Sequence, residues 1–193
     1  GWRYGLSALM WLPLLVVLAA RGKLPKGIWW RAIPPALFNT LGQILYAQTP
    51  YYIGPALGGF LIRVSLVSST LGAFVLFADE RALLRSGVFW AGLLAVVAGS
   101  VGTVFLGSAP IQGATGAGII LGATSGMLFG LYGVAVRYTM RGIPAMTSFS
   151  VISLYTATAL VVCMVIWGER GGMAVLDLSG FNWLMLITSA IVG

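Results

Sequence analysis

Arg63 offers the most chemistry in this 193-residue chain, because it interrupts an otherwise apolar run, PALGGFLIRVSLVSSTLGAFVLFA, eight residues past Pro55. On a helix that is about 12 Å along the axis, well inside a hydrocarbon layer of ~30 Å. A guanidinium at that depth costs at least ~2.5 kcal/mol and has to face the protein interior or a wet cavity. One reading is an anchor for an anionic or carboxylate-bearing substrate, since the planar guanidinium meets a carboxylate through two parallel hydrogen bonds. The other is structural: the side chain snorkels to the headgroups or bonds backbone carbonyls of a neighbouring helix.

A second constellation is Asn39, Gln43 and Tyr46, at i, i+4 and i+7. These residues form one polar stripe along an apolar helix. They are candidate substrate-binding residues that could line the same cavity as Arg63. The competing reading is hydrogen bonding between helices, at about 0.6 kcal/mol per bond. Pro34 and Pro35 precede the stripe and are candidates to break or kink the start of that helix. Ser125 and Tyr132, seven apart, are read as core packing.

Missing residue types narrow the function further. The chain has no histidine, which removes the commonest general base, proton shuttle and metal ligand. Asp79, Glu80, Glu169 and Asp177 all fall at the ends of apolar runs or between them. No carboxylate relay inside the membrane follows from them, so coupling residues lie elsewhere or transport is exchange or facilitated. ATSG at 123–126 brushes the GxSG pattern of rhomboid proteases, but position 123 is alanine and no histidine completes a Ser–His pair. An intramembrane enzyme is therefore the weaker alternative. We assign no catalytic residue, metal ligand or cofactor. The one cysteine, Cys163, lies in an apolar run and reads as a small buried residue.

The elements that must position these residues are membrane spans. Hydrophobic residues make up 59% of the chain and charged residues 8%, with a mean hydropathy of +0.98. Soluble domains carry roughly 25% charged residues, so too little polar surface exists to cover a soluble globule. Seven apolar stretches follow: Trp2–Ala20, Ala32–Tyr52, Pro55–Ala78, Val88–Leu106, Gly116–Tyr138, Thr147–Gly168, and one starting near Phe181. The complete ones have the length of a spanning helix. From Gly180 to Gly193 a helix rises only about 21 Å, so the last span reads as truncated.

The connections alternate in charge. Arg21, Lys23, Lys26 and Arg31 share one, Arg81 and Arg85 another, Arg137 and Arg141 a third; the intervening ones hold only Arg170, beside Glu169 and Asp177. This positive-inside pattern places 21–31, 79–87 and 137–146 in the cytoplasm. It also accounts for the net charge of +7 without nucleic acid. Trp29, Trp30, Trp90 and Tyr138 at inner ends, and Tyr51, Tyr52, Trp167 and Trp183 at outer ends, form the expected interfacial belts.

Glycines recur four apart at Gly118, Gly122, Gly126 and Gly130. In water each costs a helix about 1 kcal/mol against alanine. In lipid, close backbone approach drives association, and small residues four apart mark a contact face. Ala91, Ala95 and Gly99 offer a second such ridge.

Gly27 with Trp30 and Gly180 with Trp183 share one offset, and the two segments enter the membrane from opposite sides. An odd number of spans per unit inverts the second copy, as in transporters built from inverted repeats.

Four segments carry a family likeness: WRYGLSALMWLPLLVVLAARGKLP, ALGGFLIRVSLVSSTLGAFVLFADER, FWAGLLAVVAGSVGTVFL and GATSGMLFGLYGVAVRYTMRG. In order and charge pattern they resemble the second, fourth, fifth and sixth spans of EamA-type transporters of the drug/metabolite transporter superfamily. Arg3 matches an arginine often found at the start of the second span, and Arg63 departs from the apolar or small residue usual there. The resemblance implies an all-α polytopic membrane protein of inverted five-helix repeats. Residues 1–107 would be the latter part of repeat one (spans two to five) and 115–193 the beginning of repeat two (spans six to eight). It implies a permease, in bacteria usually of the inner membrane, moving a small metabolite or drug-like molecule by alternating access. A non-transporting membrane interaction module is the remaining alternative.

Overall fold

The computed structural model describes residues 1–105 and 115–192. The boundary expected between the two repeats, from 107 to 115, lies mostly outside the described residues, as does Leu106. All regular structure among the described residues is helical: α1 Trp2–Ala20, α2 Ile28–Gln48, α3 Pro55–Leu61, α4 Val64–Leu76, α5 Gly87–Phe105, α6 Gly116–Thr139, α7 Ala145–Trp167 and α8 Gly180–Val192.

Four helices are long and apolar enough to cross a membrane: α1, Leu57–Leu76 taken across its break, α6 and α7. The number rises to six if two bent pairs each count as one span. These are Ala78–Arg85 with Gly87–Gly99, bent by 83°, and Glu169–Asp177 with Gly180–Ile191, bent by 115°. The helix α2 has the length, at 21 residues. Arg31 and the amides of Asn39, Gln43 and Gln48 dilute its apolarity, and it is not among the four. Pro34 and Pro35 lie inside α2 without ending it.

The third apolar stretch is two helices in close succession. Ile62 and Arg63 form a turn between α3 and α4. The Arg63 N–H donates to Phe60 O at 3.0 Å and the Ser65 N–H to Ile62 O at 3.0 Å. These three-residue steps tighten the chain and interrupt the α-helical ladder.

The chain divides into two compact units. The first comprises Gly1–Thr40 and the chain from Thr139 onward. Here α1 packs on α7 and α8, with Trp11 edge-on to Phe149 at 5.4 Å and Trp2 edge-on to Trp183 at 6.3 Å. α1 stops at a left-handed Gly22, φ 64°. The Gly22 N–H donates to Ala19 O and the Lys23 N–H to Leu18 O, a pairing that satisfies the last carbonyls and favours a residue without Cβ. The core of this unit holds Ile28, Ala32, Ala36, Val151, Ile152 and Ala157.

The second unit, Leu41–Tyr138, holds the rest of α2, the α3–α4 pair, α5 and α6. One face of α6 is buried: Gly118, Gly122, Ser125, Gly126, Gly130 and Val134. A Cβ at Gly118 would meet Tyr52 and Ile53, one at Gly122 would meet Leu61, and one at Gly126 would lie 2.7 Å from Leu61 O. Next to Gly130 stand Ser68 and the Ser69 N–H, and Val134 faces Gly72. The glycine face therefore runs along the chain from Tyr52 to Gly72, backbone against backbone across the α3–α4 break.

Candidate functional site

Arg63 stands at the N-terminus of α4 with α-helical dihedrals, φ −69° and ψ −12°. Its side chain is exposed and opens on a groove of about 160 Å³. Phe60 comes from α3, Val64, Leu66 and Val67 from α4, and Leu93, Val96 and Val97 from α5. Every lining residue except Arg63 is apolar. The guanidinium makes no hydrogen bond or ion pair with any described residue. The groove forms where α3 packs on α5 and the turn at Ile62–Arg63 interrupts the helix above it.

The residues expected to share a cavity with Arg63 do not line this groove. Asn39 belongs to the first unit, where its Nδ2 donates to Thr156 Oγ1 at 3.2 Å; Thr156 is fully buried on α7. Gln43 and Tyr46 belong to the second. Tyr46 packs edge-on against Phe129 at 6.3 Å, and Gln43 is half-buried with no side-chain hydrogen bond to a described residue. The i, i+4, i+7 spacing is real on α2, but its members meet different neighbours.

Other polar side chains tie the helices together. Ser125, fully buried on α6, donates to Gly42 O at 3.0 Å. The Ser68 hydroxyl lies 3.2 Å from both Met127 O and Ser65 O, linking α4 to α6.

Two charged clusters are not evident from the sequence, where they read only as loop charge. Arg31 Nε donates to Thr139 O at 2.5 Å and its Nη2 to Arg141 O at 3.0 Å. A cation there sits on the last carbonyl of α6, at Thr139, where the helix dipole favours it, and on a carbonyl of the turn that follows. Around the DER turn, Glu80 pairs with Arg137, whose guanidinium also lies 4.5 Å from the Phe77 ring centroid. The neighbouring Arg81 donates to Phe74 O and Val75 O, at 3.0 and 3.4 Å, closing the end of α4. The signal in the sequence is the acidic pair Asp79 and Glu80 beside Arg81, just after an apolar run.

At the α3–α4 turn, then, a charge with no partner among the described residues borders an apolar recess. No protein-family model, curated protein or solved structure matches the chain.

Proposed function

We propose that this chain acts as a secondary transporter of a small metabolite or drug-like molecule, working by alternating access in the cytoplasmic membrane. One observation carries the reading: an arginine with no partner among the described residues sits at a tight turn inside the apolar Leu57–Leu76 segment. Irregular backbone at membrane depth is tolerated where it is buried in protein or lines a cavity. Transporters build their substrate sites near the midplane, where the regular ladder of a spanning helix is interrupted. A charge there needs a partner, and an anionic substrate supplies one.

The sequence supports the same reading. Charge alternation puts 21–31, 79–87 and 137–146 on the cytoplasmic side, the seven apolar stretches fit that alternation, and the order of motifs resembles EamA-type permeases with inverted repeats. In bacteria that means the inner membrane. Among the described residues no nucleophile–base pair supports an intramembrane enzyme, and a pure interaction module leaves Arg63 unexplained.

Accessibility at Leu66, half-exposed in the groove beside Arg63, tests this. The Leu66→Cys variant in a Cys163→Ala background is labelled with a membrane-impermeant maleimide in right-side-out and inside-out vesicles. Alternating access predicts labelling from both sides. Labelling from one side only, or from neither, contradicts it.

A further inference from the structure

We infer that the groove at the α3–α4 break holds an amphipathic monocarboxylate, its acid group on the Arg63 guanidinium and its apolar body against α4 and α5. The inference rests on the transporter reading and adds the class of ligand.

The lining decides the class. Arg63 supplies one positive charge, and Phe60, Leu66, Val67, Leu93 and Val97 supply hydrocarbon. A carboxylate satisfies the guanidinium through two hydrogen bonds. An amine on the same ligand would find no carboxylate among the lining residues, and a sugar's hydroxyls would find no partner. Either would leave water without compensation. A second acid group would likewise stand unpaired. Zwitterionic amino acids, sugars and dicarboxylates are therefore poor fits.

Size follows from volume. The groove measures about 160 Å³, well above the roughly 10–15 Å³ that one water needs on the same measure. An alkyl tail of several carbons, such as that of hexanoate, therefore fits inside it. Each methylene that enters the recess should tighten binding about fourfold. Once the tail outgrows the recess the gain stops. Simple partition into lipid has no such ceiling.

The test uses the full chain in phosphatidylcholine nanodiscs. Labelled hexanoate is displaced by the series from butanoate to tetradecanoate, and by hexanol, 6-aminohexanoate and phosphatidylglycerol. We expect saturable binding that strengthens about fourfold per carbon and then levels off within the series, with hexanol and 6-aminohexanoate at least tenfold weaker than hexanoate. Arg63→Gln should lose at least tenfold for hexanoate. Val97→Phe, which narrows the recess and keeps the charge, should shift the optimum to a shorter chain. Non-saturable uptake, a gain that continues through the whole series, equal displacement by hexanol, or displacement by phosphatidylglycerol at low mole fraction each overturns the inference; the last would make the groove a lipid site.

The two proposals fail separately. Two-sided labelling at position 66 without hexanoate binding discards the ligand class and leaves transport. Arg63-dependent hexanoate binding with one-sided labelling discards transport and leaves the site.

Discussion

Gly126 on α6 lies against the backbone of Leu61, so that a Cβ added to Gly126 would stand 2.7 Å from Leu61 O and 3.2 Å from Ile62 O. The helix that carries the glycines thus braces the turn that presents Arg63. No side chain fits between them, and the spacing of the glycines is set by that approach.

Gly126→Ala should therefore open the seam, at about 1–3 kcal/mol for overpacking. A Cβ at Gly133 on the same helix would meet nothing within 4 Å, so Gly133→Ala should be neutral or stabilising by up to about 1 kcal/mol. Thermal unfolding of the two variants in detergent checks the contrast; equal shifts would mean that the glycines do not mark a contact face.

Asn39 and Thr156 should couple. Their hydrogen bond is 3.2 Å long, and such bonds between membrane helices average about 0.6 kcal/mol. A double-mutant cycle of Asn39→Ala and Thr156→Ala should return a coupling of that order. A coupling near zero would free Asn39 for a role in binding.

Arg31→Lys should be destabilising despite keeping the charge. The guanidinium reaches Thr139 O and Arg141 O at once, and an ammonium is a point donor without that fork. Loss of one charged hydrogen bond corresponds to about 1.5–3 kcal/mol. Denaturation of the Lys variant measures it.

The Glu80–Arg137 pair should matter little for stability. The Arg137 side chain is 58% exposed, and exposed pairs contribute about 0–1 kcal/mol. Glu80→Gln should shift unfolding slightly at low salt and less at high salt, as screening removes the attraction. A large, salt-independent loss would assign the pair a buried role.

The helices are legible in the sequence because apolar length is a strong signal: α1 and α6 follow the runs starting at Trp2 and Gly116 closely. The burial of the α6 glycines follows from their four-residue spacing. The break at Ile62–Arg63 does not, since the run from Pro55 to Ala78 has continuous helical hydropathy and the turn arises from local three-residue hydrogen bonds. The neighbours of Asn39, Gln43 and Tyr46 are also hidden. A helical stripe shows which residues share a face, while α2 is long enough to meet Thr156 at one level and Phe129 at another.

Counterflow tests the central claim most directly. Liposomes holding the full chain are loaded with unlabelled hexanesulfonate, a permanently charged stand-in for the carboxylate, and diluted into the labelled anion. A transporter that uses Arg63 predicts transient accumulation of label above equilibrium, absent with Arg63→Gln. Wild-type liposomes that match protein-free ones, or an Arg63→Gln variant that accumulates label as the wild type does, would contradict it.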